Sequence, residues 1–99
     1  MVRHIVLFQL KPELDECKKD EVKKDFKRGI EALTEVIPFI KKIEVGFNIN
    51  SDEKWDICLN SEFSSLEDVR SYSVDPHHVK VAGALKLYLS GRSCVDYEF

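Results

Sequence analysis

The opening of the chain is its most apolar run, with a histidine set inside it. Val2, His4, Val6, Phe8 and Leu10 fall on one side of an extended Val2–Leu10 segment, and Arg3, Ile5, Leu7 and Gln9 on the other. Both sides are apolar at the middle, which is the pattern of a central strand covered from above and below. Lys11-Pro12 ends it, because proline has no N–H to give to a ladder. From Asp15 to Ile37 the period becomes helical: Val22, Phe26, Ile30, Leu33 and Ile37 form one stripe. The other faces carry Lys18, Lys19, Asp20, Lys23, Lys24, Lys27 and Arg28, spaced in places for i,i+4 pairing, so this cluster reads as a solvated face. Pro38 stops the helix.

Lys41, Ile43, Val45 and Phe47 alternate with Lys42, Glu44, Gly46 and Asn48, predicting a second strand. After a polar loop to Lys54, a third strand carries Trp55, Ile57, Leu59, Ser61 and Phe63 on one face, with Trp55 expected to lie over the core. Ser64 and Ser65 ahead of Glu67 and Asp68 read as a capping box for a short helix to about Tyr72. Asp75-Pro76 restarts a helix, with aspartate as N-cap and proline in the first turn. That helix is predicted to run to about Leu89, with Gly91 ending it. Arg92 to Phe99 supplies a last strand, with Val95, Tyr97 and Phe99 opposite Cys94, Asp96 and Glu98.

The order β-α-β-β-α-β, in a single domain over residues 1–99, is the ferredoxin-like α+β arrangement. Its helices cover one sheet face. The apolar faces of the later strands are assigned to that side, together with Val2, His4, Val6 and Phe8. The reverse face then holds Ile5, Leu7, Cys58 and Cys94, rimmed by Lys42, Glu44, Glu62, Asp96 and Glu98. An apolar centre with a charged border predicts a homodimer through the face bearing Ile5 and Leu7, related by a two-fold axis. A chain this small buries only about 60–70 % of its unfolded surface alone, which strengthens the case for a partner.

Composition narrows the classes further. With 43 % apolar and 33 % charged residues the chain is an ordinary globular protein. A net charge of -3 gives no general attraction to nucleic acid or anionic membrane. The opening apolar run is too short to span a bilayer and lacks a cleavage pattern after it. Three cysteines without a CxxC pair suit reduced thiols, and a cytoplasmic location is expected.

Three side chains point toward the space between helices and sheet: His4, His78 and Tyr72. An imidazole transfers protons near neutral pH, and a tyrosine hydroxyl can hold a carbonyl or enolate oxygen. His78 shares a stripe with Ala82, Leu85 and Leu89, and His77 one with Val81 and Tyr88, so periodicity does not choose between them. Val6, Phe8, Phe26, Ile30, Ile57, Leu59 and Leu89 are the expected apolar lining for a small apolar or carbonyl ligand. No metal spacing, phosphate loop or cofactor motif is present, so no metal or cofactor is expected.

The opening Val2-Arg3-His4-Ile5-Val6-Leu7-Phe8, Glu44-Val45-Gly46, Ser61-Glu62-Phe63, Tyr72…Asp75-Pro76-His77-His78-Val79 and Val95-Asp96-Tyr97 resemble the stress-responsive A/B barrel (Dabb) domain family. The resemblance spans essentially the whole chain and implies a dimeric α+β barrel. Most members have no assigned activity. One plant member type is a polyketide cyclase, and its strand-one histidine, the histidine two past the proline and the tyrosine before that turn match His4, His78 and Tyr72. The chain departs from it at Ile57 and Asp75, where the cyclase has histidines, and at Ile30, where it has a tyrosine. Three readings follow: a small-molecule-binding dimer, a cofactor-free enzyme (cyclase, isomerase or monooxygenase-like) using His4 and His78, or a structural, stress-protective oligomer.

Overall fold

A computed structural model describes residues 1–99. The strands are β1 (Val2–Leu10), β2 (Lys42–Phe47), β3 (Ile57–Phe63) and β4 (Leu89–Glu98), and the helices α1 (Glu16–Glu31), α2 (Leu66–Val74) and α3 (Pro76–Lys86). All four strands join one antiparallel sheet in the order β2-β3-β1-β4. This is the ferredoxin-like order expected from the sequence, with the second helix in two pieces. No helix is long and apolar enough to cross a membrane.

Local chemistry sets the helix boundaries. Asp15 caps α1 by accepting the Lys18 N–H at 2.8 Å. The stripe Val22, Phe26 and Ile30 turns to the sheet, and a 3-10 turn from Ala32 to Glu35 carries Leu33 into the same core ahead of Pro38. Ser65 caps α2 through the Asp68 N–H at 3.1 Å. Asp75 closes α2 and caps α3, accepting the His77 N–H at 2.9 Å, and this restart places His78 in the first turn of α3. The two long helices approach closely at Gly29, where a Cβ would stand 3.1 Å from a Val81 methyl carbon. Fully buried Ile30, Ile37 and Phe63 each contribute about 1.5–3 kcal/mol of apolar burial.

The outer edge of β2 is closed by α1. Glu31 accepts the Val45 N–H at 2.9 Å, and Lys27 donates to the Val45 carbonyl at 2.7 Å and to Glu31 at 2.6 Å. Lys27 therefore does more than face solvent: with Glu31 it satisfies backbone groups that an edge strand leaves free.

Three sequence expectations change. The last helix ends at Lys86 rather than near Leu89, because β1 captures the chain first: Lys11 N–H bonds the Tyr88 carbonyl at 2.9 Å and Leu89 pairs with Leu10. Gly91 lies inside β4 opposite Gln9, where a Cβ would stand 3.3 Å from Gln9 Oε1 and 3.7 Å from a Trp55 ring carbon. Trp55 lies not over the core but beside Leu7 and Cys58, at the rim of the uncovered face.

A further change, in the facing of β4, has the largest consequence. Residues paired across an antiparallel ladder project to the same face. Asp96 pairs with His4, Cys94 with Val6 and Arg92 with Phe8, so these three face the helix side, while Val95 pairs with Ile5 and Tyr97 with Arg3. The expected facing of β4 is thus inverted, and Cys94, Asp96 and Glu98 leave the reverse face. The register to β1 decides this, and the helices lean on β2 and β3, leaving the helix side of β4 wet. The uncovered face becomes more apolar than expected: Val95, Tyr97 and Phe99 are 52 %, 42 % and 51 % exposed and join Ile5, Leu7 and Cys58. Beside them Arg3 lies 3.9 Å above the Phe99 ring centre and donates to Tyr97 and Glu62 at 3.1 Å each.

Candidate functional site

His4 comes up from the middle of β1 and is only 5 % exposed. Its Nδ1 lies 2.5 Å from Asp96 Oδ1. An ionised carboxylate only accepts, so Nδ1 carries the hydrogen and Nε2 is the free nitrogen. The ring is held edge-on by Phe63 and Tyr72, at centroid distances of 6.4 and 6.2 Å. A buried histidine needs such a partner, and β4 supplies it through the register that inverted its faces.

Tyr72 is fully buried, and its hydroxyl has no hydrogen-bond partner. Burial pushes its phenol well above the usual range, so it stays a neutral donor. An orphan hydroxyl in the interior costs about 1–3 kcal/mol.

The structure separates the two adjacent histidines. His77 points outward and bonds Asp75 at 3.0 Å. His78 packs on Tyr72 with ring centroids 4.3 Å apart, and its Nδ1 lies 3.1 Å from the Ser73 carbonyl, which can only accept. Its Nδ1 therefore carries the hydrogen and Nε2 the lone pair. Burial lowers the His78 pKa; the Ser73 carbonyl and Asp75 work against this, and the Arg92 charge adds to it. The ring stays neutral, in the form of a base, further into acid than a free imidazole would.

His4, His78, Ser73 and Arg92 border a small cavity of about 80 Å³ whose apolar wall includes Val6, Phe8, Phe26, Ile30 and Leu59. Of the expected lining, Ile57 is buried elsewhere in the sheet beside Phe47, and Leu89 sits half-buried against Leu10. Across His4, Ser73 and Arg92 the cavity adjoins a trough of about 780 Å³ that also includes Arg70, Cys94 and Asp96. The inner space suits the reacting end of a ligand, and the trough has the size of an ordinary ligand pocket. Tyr72 borders neither space and lies behind the His4 and His78 rings. A separate apolar groove of about 660 Å³ runs between α1 and α3 and includes His77, but neither His4 nor His78.

Asp96, Arg92 and Cys94 are the site residues that sequence reasoning missed. The available signal was the alternation of β4 itself, whose polar members had only to be turned toward His4. His4, Cys94 and Asp96 also bring three metal-ligating atoms within 4.8 Å of one another.

Fold and site together define a ferredoxin-like α+β protein with a histidine-lined pocket between its helices and sheet. The stress responsive A/B barrel domain family model matches residues 2–99, and the chain belongs to that family. Olivetolic acid cyclase from Cannabis sativa is 24 % identical over 99 residues, covering 97 % of this chain and 94 % of the cyclase. A dimeric protein of unknown function and ferredoxin-like fold from Bacteroides fragilis superposes with a TM-score of 0.96 at 47 % identity, covering 99 % of this chain and 95 % of that one. Hydroxynitrile lyase from Passiflora edulis shares the fold, with a TM-score of 0.74 at 20 % identity over 97 % of this chain and 90 % of the lyase.

Proposed function

We propose that the protein is a cytoplasmic homodimer that binds a small carbonyl compound in this pocket and moves a proton on it without a cofactor. The observation that carries the reading is the Tyr72 hydroxyl, buried without a partner beside two histidines. The hydroxyl lies behind the two histidine rings rather than in the cavity lining, and in this reading it meets the substrate oxygen and stabilises the enolate when a ligand enters. His78 Nε2 takes the proton from the adjacent carbon, and His4, fixed through Nδ1 by Asp96, presents Nε2 to exchange the second proton. The cyclase and the lyase of this fold are enzymes by name; the fold alone brings neither reaction to this chain.

Dimerisation through the uncovered face rests on its exposed Val95, Tyr97 and Phe99, and on neighbours described as dimeric. Arg3 Nε and Asn60 Oδ1 also lie on that face, buried and unpaired, and are available to a second copy. Three free thiols suit a reducing compartment.

The test is hydrogen exchange at the central carbon of 2,4-pentanedione in D2O, followed by NMR. The full chain should accelerate it, and His78→Ala and Tyr72→Phe should each slow it by at least about tenfold. Exchange indifferent to both substitutions removes the proton-transfer role. A retained ligand seen by native mass spectrometry would then leave a binding protein in its place.

A further inference from the structure

We propose that His4, Cys94 and Asp96 form a three-ligand site for a divalent cation of the zinc type, with its fourth position open to the trough. The donors come from neighbouring strands, and the β1–β4 register sets all three on one face. Cys94 Sγ lies 3.7 Å from His4 Nδ1 and 3.9 Å from Asp96 Oδ2. Bonds of about 2.0–2.3 Å in a tetrahedron put ligand atoms about 3.3–3.6 Å apart, so both sulfur edges are already close to that spacing. The 2.5 Å contact of His4 Nδ1 is with the other carboxylate oxygen, Oδ1, so an ion held through Oδ2 replaces that hydrogen bond and requires the Asp96 carboxylate to turn. Asp96 can supply that movement because its side chain is 30 % exposed, whereas His4 is fixed by Phe63 and Tyr72.

A mixed sulfur, nitrogen and oxygen set selects a borderline-soft ion over magnesium or calcium. Three protein ligands with one side open is the arrangement of an exchangeable site rather than a closed structural one. On binding, the thiol gives its proton to solvent and becomes the sulfur ligand. His4 moves its single hydrogen from Nδ1 to Nε2, so the cation and the Asp96 hydrogen bond exclude each other. A bound ion thereby withdraws the free Nε2 that the proposed proton transfer uses, and becomes an inhibitor of it.

Cobalt(II) is the direct probe, and its readout does not depend on turnover. The reduced full chain should take up one cobalt per subunit, giving the intense visible bands of a tetrahedral ion, a near-ultraviolet thiolate charge-transfer band, and displacement by zinc. Cys94→Ser should abolish the charge-transfer band, and the exposed position of Cys94 makes this a mild change to the fold. The double variant Cys17→Ser/Cys58→Ser should keep the band, and Asp96→Asn should weaken uptake by about tenfold or more. Absence of the band from the full chain, or its survival in the Cys94 variant, overturns the site.

Discussion

The two edge strands of this sheet solve the same problem in opposite ways. β2 is short, its apolar face lies under α1, and Lys27 and Glu31 bond the outward N–H and carbonyl of Val45. β4 is longer, has no buried residue, and no side chain bonds its backbone as Lys27 and Glu31 bond that of β2. β2 directs its apolar residues to the helices, while β4 directs Arg92, Cys94 and Asp96 to the helix side and Val95 and Tyr97 away from it. One edge is completed within the chain. The other leaves polar atoms toward a pocket and apolar side chains exposed on the uncovered face. Closing an edge contributes stability, and leaving one open provides a place for chemistry and association.

Two substitutions separate these roles, and the larger effect belongs to β4. Val95→Lys puts an unpaired ammonium at the centre of the proposed dimer contact twice over by symmetry, at a cost of several kcal/mol apiece. Sedimentation at micromolar concentration should show the parent dimer replaced by a folded monomer with an unchanged far-ultraviolet spectrum. A variant that stays dimeric removes the back-to-back contact. Ile30→Ala acts on the covered half, where Ile30 is fully buried. It should lower unfolding free energy by about 2–5 kcal/mol in urea titrations while leaving the folded protein dimeric. Equal effects of both variants on stability and association would mean that the two edges are not independent.

Most of the covered half was legible in the sequence because burial there imposes a period. The α1 stripe Val22, Phe26, Ile30 and the β3 alternation Ile57, Leu59, Ser61, Phe63 both lie as the pattern indicates. Asp75-Pro76 likewise marked the α2–α3 break, through capping chemistry that acts over a few residues. β4 was legible as a strand but not in its facing. Val95, Tyr97 and Phe99 alternate as cleanly as any core strand, and one chain's sequence does not say whether apolar residues meet helices or another subunit. The partner of His4 was hidden for the same reason. Asp96 is 92 residues away, and only the β1–β4 register brings it to 2.5 Å. The separation of His77 from His78 depended on where helix α3 begins to turn, a detail finer than the helical period.

The smallest effect concerns the closed edge. Burial works against the Glu31 charge, but the Lys27 ammonium and the Val45 N–H outweigh it and hold its carboxyl below the ordinary value of 4.5. A carboxylate whose pKa is depressed on folding stabilises the fold above its unfolded pKa, and that contribution is lost as pH falls through the folded value. Charge-assisted hydrogen bonds contribute roughly 1.5–3 kcal/mol. The Glu31 side chain is 34 % exposed, so screening reduces the expected effect to about 1 kcal/mol. Glu31→Gln should therefore lower stability by about 1 kcal/mol near neutral pH, and the gap from the parent should close in acid below the ordinary carboxylate range. On the open edge, Glu98→Gln should change stability by less than about 0.5 kcal/mol at either pH. A Glu31→Gln gap that persists in acid would mean that the shape of the side chain, rather than its charge, closes the edge of β2.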